Sequence, residues 1–150
     1  MSGNRIPGAE LQSLIQPQIV RRRRGPILQN PPDANSTYPI VGAGPRPVVV
    51  VGCGRTGAAI ATAMSETGST VQILDVSVAA FDLLPAGLIE DGHIVPIIGD
   101  GTLESDLRKA SAQDADVLIA VSGKDAANVM SAQIAHHILG VPRVICRLSD

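Results

Sequence analysis

The stretch that decides the fold is VVVVGCGRTGAAIATAM, residues 48–64, in which a run of valines meets three closely spaced glycines. An unbroken run of β-branched residues is typical of a strand that is buried on both faces. The small residues that follow the glycines are compatible with a helix, and Gly68 is placed to end it. We therefore predict a buried strand over 47–51, a tight turn, and a helix over 56–67.

The glycines at 52, 54 and 57 have the spacing of a dinucleotide-binding turn. Gly52 would let the chain turn off the strand, and Gly54 would let a pyrophosphate approach the backbone. Gly57 would let the helix press against the sheet, while the N–H groups at the helix N-terminus would face the phosphates. The alternative is a glycine turn that binds no ligand.

Three further residues of this turn are candidate cofactor-binding residues: Cys53, Arg55 and Thr56. Arg55 lies where the phosphates would arrive, and its guanidinium can bind phosphate oxygens in a bidentate way. Alternatively, Arg55 is a solvated residue at a helix end that disfavours cations. Cys53 occupies a position where a small residue suffices, so we do not expect a redox role for it.

The second predicted strand, residues 69–75, ends in an acidic residue at a spacing close to that of ribose recognition. Asp75 follows Gly57 by 18 residues. Its carboxylate can accept hydrogen bonds from ribose hydroxyls and would repel a 2′-phosphate. This favours NAD(H), ATP or ADP over NADP(H) as the cofactor. The alternative is a surface aspartate at a strand end.

The rest of the chain continues the alternation of helices and strands. The further predicted elements are, in order, helix 78–84, strand 93–100, helix 103–110, strand 115–122, helix 124–139 and strand 143–149. Pro96 removes a ladder donor, so its strand should lie at the sheet edge or carry a bulge. Ser77 and Thr102 can cap the helices that follow them, and Ser122 with Asp125 has capping-box-like spacing. This pattern predicts an α/β, Rossmann-like, doubly wound parallel sheet.

The turn GDGT, residues 99–102, closes the third predicted strand at the edge where ligands of such sheets bind. Asp100 is a candidate for lining an adenosine pocket, or it is a loop acid. The capping role of Thr102 is compatible with either interpretation.

Composition and charge divide the chain near residue 46. Residues 1–46 carry six arginines and two acidic residues and are rich in proline. We interpret them as a mostly disordered tail, in which the arginine run at 21–24 is solvated or docks on acidic lipid or RNA. Residues 47–150 carry six basic and twelve acidic residues, so nucleic-acid binding by this part is not expected. The two cysteines and the lack of a signal peptide or membrane-length apolar run favour the cytoplasm, and no Cys/His cluster with metal-binding spacing exists.

Five stretches resemble one family: VVVVGCGRTG, VQILD, IIGDGTLESDLRKA, ADVLIAVSGKDAANVMSAQIA and RVICRLSD. Over residues 47–150 the chain resembles the RCK or KTN nucleotide-binding domain of bacterial potassium uptake systems and channels. The Arg after the second glycine, the GD-x-T turn, and D-x-x-N at Asp125 and Asn128 make the resemblance more specific than a generic Rossmann pattern. The resemblance implies phosphate contacts at Gly52, Gly54, Arg55 and Gly57, ribose contacts at Asp75, and adenosine contacts at Asp100, Gly101 and Thr102.

The resemblance also implies a function. It implies a cytoplasmic regulatory domain, not an enzyme, that binds NAD(H) or ATP/ADP and gates a membrane potassium or cation channel or transporter subunit. Domains of that family normally continue past the fifth strand, so we expect this chain to lack its final helix and strand. The helix 124–139 carries two apolar faces, which predicts a homo-oligomer; the alternative is that a longer native chain covers the second face within one subunit.

Two other classes of function stay open from the residues alone. An NAD-dependent oxidoreductase fragment would need a catalytic acid or base near its substrate. The only tyrosine is Tyr38, outside the predicted domain, and no substrate domain is recognisable. A nucleotide-binding interaction module unrelated to ion transport is disfavoured only by the family resemblance.

Overall fold

The computed structural model describes residues 47–149, and the tail predicted for residues 1–46 lies outside this part. The described residues form a five-stranded sheet whose strands all pair in parallel, in the order β3-β2-β1-β4-β5. The strands are β1 Pro47–Val51, β2 Thr70–Asp75, β3 Ile94–Ile98, β4 Val117–Ala120 and β5 Arg143–Cys146. The strand order reverses at β1, which confirms the Rossmann-like, doubly wound arrangement.

Helices connect consecutive strands in this part of the chain. The α-helices are α1 Arg55–Glu66, α2 Ala86–Glu90, α3 Glu104–Lys109 and α4 Asp125–Gln133. Two 3₁₀ helices, Val78–Leu83 and Ala112–Asp114, and a π-helical turn after α4, Ile134–Ile138, complete the connections. Among these elements, no helix has both the length and the apolar composition needed to cross a bilayer.

The central strand β1 is buried on both faces, as its valine run predicts. Val48 and Val50 pack in a cluster with α1 residues, whereas Val49 and Val51 pack in a second cluster with residues of α3 and of the π-helical turn. None of the four is more than 5% exposed. Since burying a valine side chain fully contributes about 1.5–3 kcal/mol, this strand fixes the position of the turn that follows it.

The two edge strands are β3 and β5. Pro96 lies in β3 opposite Ile73 of β2, so its missing N–H falls on an edge strand, as predicted. At the other edge, Ile145 and Leu148 are more than half exposed. β3 and β5 are thus the outermost strands of the sheet that the described residues form.

The last helical segment leaves apolar side chains at the surface. Ile134 and Leu139 are buried, whereas Val129, Met130 and Ile138 are 40–56% exposed. The segment therefore has an apolar surface besides the one that packs on the sheet, as its sequence predicts. The predicted single helix over 124–139 is an α-helix that widens into the π-helical turn before Gly140.

The segment after β2 differs from its prediction. The residues expected to form a helix over 78–84 form a 3₁₀ helix, and the Ser77 side chain makes no capping hydrogen bond. The backbone N–H of Ser77 instead donates to Asp75 Oδ1 at 2.8 Å. Pro85 ends that 3₁₀ helix but also stands at the N-cap of α2, which the sequence analysis missed. A proline suits the start of a helix as well as its end, because its φ is fixed near the helical value.

The predicted cap at Thr102 is wrong. Helix α3 begins at Glu104, and Leu103 occupies the N-cap position without a side-chain hydrogen bond. The Thr102 hydroxyl donates to Asp100 Oδ1 at 2.7 Å, so it forms a hydrogen bond within the turn before α3 and does not cap the helix.

The predicted capping box of α4 is also wrong. Lys124 occupies the N-cap position, and no side-chain hydrogen bond caps the helix. Ser122 donates its N–H and its hydroxyl to Asn128 Oδ1, at 2.8 Å each, and thereby bonds the end of β4 to the helix.

Candidate functional site

The glycine turn lies at the C-terminal edge of the sheet, between β1 and α1. Gly52 has φ +98°, a conformation that side chains disfavour, and a Cβ on it would come within 2.7 Å of the Ser122 backbone. A Cβ on Gly57 would overlap the carbonyl oxygen of Gly52 and lie 2.9 Å from its carbonyl carbon. Gly52 is therefore required by its own conformation and by the backbone after β4, and Gly57 is required because α1 starts in direct contact with the turn.

Gly54 is different from the other two glycines of the motif. It is the N-cap of α1 with φ −75° and ψ −173°, a conformation open to any residue. A Cβ on Gly54 would meet no atom of the described residues within 4 Å. Neither conformation nor internal packing therefore requires a glycine there.

Asp75 ends β2 beside the glycine turn. Its Oδ2 accepts the backbone N–H of Cys53 at 2.7 Å, and its Oδ1 accepts the N–H of Ser77 at 2.8 Å. The carboxylate thus joins the turn after β1 to the segment after β2. Each carboxylate oxygen can accept more than one hydrogen bond, so both oxygens of Asp75 can still accept hydrogen bonds from other donors.

A cleft of about 410 Å³ opens between the glycine turn and the ends of β2, β4 and β5. Its lining combines the turn residues with groups from three other strand ends and from the 3₁₀ helix Val78–Leu83: Gly52, Cys53, Gly54, Arg55, Thr56, Asp75, Ala80, Leu83, Val121, Ser122, Gly123 and Arg147. The structure therefore brings Arg55 and Asp75 to one cleft, as the sequence predicts. Its two arginines and the N-terminus of α1 give it positive charge opposite the Asp75 carboxylate.

The contributions of β4 and β5 to this cleft are not predicted from the sequence. Arg147, just after β5, places its Nη1 3.4 Å from the Thr56 hydroxyl in the first turn of α1. Parallel strands end at one edge of the sheet, so polar residues directly after β4 and β5 were the signal that could have identified them.

The Asp100–Thr102 turn lies outside the residues that line the cleft. Asp100 Oδ1 accepts the N–H and the hydroxyl of Thr102 at 2.8 and 2.7 Å. Gly101 is buried, and a Cβ on it would press into Val51 and come within 2.9 Å of Ser131 Oγ. These bonds account for the three residues as parts of a tightly packed turn, and their contact with adenosine stays a prediction.

A residue that the sequence analysis did not single out holds this turn. Asp106 of α3 is buried, and its Oδ2 accepts the N–H of Asp100 at 2.8 Å while its Oδ1 pairs with Lys109 at 2.6 Å. The Lys109 hydrogen bond, followed by the Asp100 N–H, holds the pKa of Asp106 below its usual value, and the bonds from Thr102 do the same for the pKa of Asp100. The two ionised carboxylates therefore stabilise the turn at pH values above 3.8, the usual aspartate pKa. This contribution to stability is lost as the pH falls through the lowered pKa values of Asp100 and Asp106.

Cys53 is fully buried in the glycine turn, and its thiol donates to the Ala80 carbonyl at 3.4 Å. Burial, and to a lesser extent the Asp75 carboxylate, raises its pKa to about 11. Both effects favour the protonated thiol, which is a poor nucleophile. Among the described residues, no group of three or more His, Cys, Asp or Glu could hold a metal ion.

The sheet order, the glycine turn and the acidic end of β2 define a Rossmann-like domain with a dinucleotide-type turn. The family model of the TrkA-N domain matches residues 48–150, and the chain belongs to this family. This confirms the resemblance to RCK or KTN domains that the sequence motifs indicate.

Several relatives carry the name Trk system potassium uptake protein TrkA. The protein of Streptomyces coelicolor is 34% identical over 103 residues, which are 69% of this chain and 44% of the relative. The protein of Halomonas elongata is 28% identical over 101 residues, which are 67% of this chain and 21% of the relative. The chain therefore spans less than half the length of either relative.

Several solved structures share the fold. The Shewanella denitrificans Kef CTD in AMP-bound form has a TM-score of 0.57 at 24% identity, covering 70% of this chain and 60% of the other. A Veillonella parvula short-chain dehydrogenase/reductase in complex with NADP has a TM-score of 0.55 at 13% identity, covering 67% and 46%. At these identities the similarity shows the fold alone.

Proposed function

We propose that residues 47–150 are a nucleotide-binding regulatory domain of a potassium uptake system, with NAD(H), ATP or ADP as the ligand. The observation that carries the proposal is Gly54, a glycine with no internal reason to be one. It stands at the N-terminus of α1, where a side chain would block the approach of a phosphate to the backbone N–H groups. The AMP and NADP named for the two solved structures support an adenosine nucleotide as the ligand class.

The ligand is oriented by groups of opposite charge in the cleft, the arginines and the Asp75 carboxylate. The phosphates lie on the turn Gly52–Gly57, with the guanidinium of Arg55 on their oxygens. The ribose hydroxyls donate to Asp75, whose carboxylate disfavours a 2′-phosphate and hence NADP(H). The Asp100–Thr102 turn, which follows β3 and does not line the cleft, would meet the adenosine only where the ligand extends past Asp75.

The role in potassium uptake rests on the family and on the names of its relatives. Nucleotide occupancy would be communicated to a membrane potassium or cation channel or transporter subunit, with this domain on its cytoplasmic side as part of a homo-oligomer. A regulatory role is preferred to catalysis because the residues that line the described cleft include no histidine, tyrosine or lysine to serve as acid or base.

Potassium uptake by cells that lack the gene tests this proposal. We expect uptake to fall when the gene is deleted and to recover with the wild-type chain. It should not recover with Gly54→Val, because the valine side chain would occupy the phosphate position, while its Cβ would meet no described atom within 4 Å. Gly87→Val is the matched control, since a Cβ there also meets no described atom within 4 Å and the residue lies in α2, outside the residues that line the cleft. Uptake that is unchanged by deletion, or fully restored by Gly54→Val, would overturn the proposed function.

A further inference from the structure

The start of α4 contains two polar residues whose role the cleft does not explain, Asp125 and Asn128. Asn128 is fully buried and uses its whole side-chain amide. Its Oδ1 accepts the N–H and the hydroxyl of Ser122, and its Nδ2 donates to the carbonyls of Ser122 at 3.0 Å and Arg147 at 2.9 Å. One buried amide therefore joins the segment after β4 to the segment after β5.

Asp125 makes a second bond to the same part of the chain. Its Oδ2 accepts the backbone N–H of Ser149 at 2.9 Å. The backbone N–H of Arg147 also donates to Ala120 at 2.9 Å, which extends the β4–β5 ladder by one residue beyond β5. The backbone on both sides of the Arg147 side chain is thereby fixed against α4 and β4.

The side chain held in this way lies at the phosphate end of the cleft. Arg147 lines the cleft with Arg55, and its Nη1 contacts the Thr56 hydroxyl at 3.4 Å. Within residues 47–149, neither arginine takes part in an ion pair. The two guanidiniums approach the glycine turn from different elements, one from α1 and the other from the end of β5.

We infer that Arg147 is a second phosphate-binding residue, and that Asp125 and Asn128 are the positioning residues that hold it at the glycine turn. This inference rests on the proposed function and specifies its ligand class. Two guanidiniums favour a ligand with at least two phosphate groups, because each group can then receive charge-assisted hydrogen bonds from its own arginine. Di- and triphosphates and dinucleotides are bound in preference to AMP and adenosine.

Calorimetric titration of Arg147→Ala with adenosine, AMP, ADP and ATP tests the inference. Charge-assisted hydrogen bonds are worth about 1.5–3 kcal/mol, so affinity for ADP and ATP should fall about tenfold or more, whereas affinity for adenosine should change less than about twofold. Arg147→Lys keeps the charge without the bidentate geometry and should recover part of the loss. Arg143→Ala, at the other end of β5, is the matched control and should bind all four ligands as the wild type does.

To show that Asp125 and Asn128 position Arg147, a measurement is needed that a general loss of protein stability would not change. Asp125→Ala should weaken ADP and ATP but not adenosine, and it should cause no further loss in an Arg147→Ala background. Asn128→Asp keeps the side-chain volume but cannot donate to the two carbonyls, and it should show the same pattern. If that variant does not fold, the Asp125→Ala cycle decides alone.

The failures of the two proposals give different results. If the wild type binds none of the four ligands or NADH, the proposed function fails. If the wild type binds them and Arg147→Ala behaves as Arg143→Ala does, or loses adenosine and ATP equally, Arg147 is not a phosphate-binding residue. Additive losses for Asp125→Ala and Arg147→Ala would overturn the positioning role.

Discussion

Gly57→Ala is expected to destabilise the domain by about 3 kcal/mol or more and to abolish nucleotide binding. The added Cβ would overlap the carbonyl oxygen of Gly52 and lie 2.9 Å from the carbonyl carbon, and neither backbone atom can move while β1 and α1 stay packed. The melting temperature should fall by more than about 10 °C. Urea denaturation and thermal melting of the wild type and the variant measure both quantities.

Gly54→Ala is the control for this prediction. No described atom lies within 4 Å of the added Cβ, so the expected cost is about 1 kcal/mol, the difference between glycine and alanine as N-cap residues. Nucleotide affinity should fall even though the variant stays folded. Equal stability of the two variants would show that α1 does not press on the turn as the structure has it.

Asp75→Ala is expected to lower the affinity for every adenosine nucleotide by about 10- to 100-fold, because all of them share the ribose. It should also lower stability by about 1–3 kcal/mol, because the N–H groups of Cys53 and Ser77 lose their acceptor. Calorimetry with ATP and NADH, together with urea denaturation, separates the two effects. Asp82→Ala replaces an exposed acid in the neighbouring 3₁₀ helix and should change neither quantity.

The choice between NADH and NADPH distinguishes a ribose role from a purely structural one. The wild type should bind NADH more tightly than NADPH, since the Asp75 carboxylate repels a 2′-phosphate. Asp75→Ala should reduce that preference. If the variant is less stable but keeps the wild-type ratio of NADH affinity to NADPH affinity, the role of Asp75 is only to accept the backbone hydrogen bonds.

The sequence predicts the elements whose residues interact locally. The valines of β1 and the glycines after them specify a buried strand and a tight turn without reference to the rest of the chain. The alternation of strands and helices then predicts the parallel sheet, and Pro96 predicts which strand lies at an edge. Asp75 is predicted to reach the glycine turn because consecutive strands of such a sheet end at the same edge.

Other features depend on residues that are far apart in the chain. Arg147 reaches the cleft from β5, which lies on the far side of β4 from β1, and the position of β5 in the sheet cannot be read from local spacing. In the sequence, Asp106 resembles an ordinary surface acid, and only the structure shows that it accepts the backbone N–H of Asp100, six residues away. Thr102 was predicted as a helix cap because threonine caps helices often, but the competing bond to Asp100 determines its role.

The most direct test of the central claim is a titration of the isotope-labelled chain with ADP, followed by the backbone amide resonances. We expect saturable shifts at the N–H groups of Gly52–Gly57 and at Asp75, with smaller shifts at Ser122 and Gly123. The N-terminal ends of the strands, such as Thr70 and Arg143, should not respond. Shifts confined to residues outside this cleft, or no saturable shift at millimolar ADP, would contradict the account.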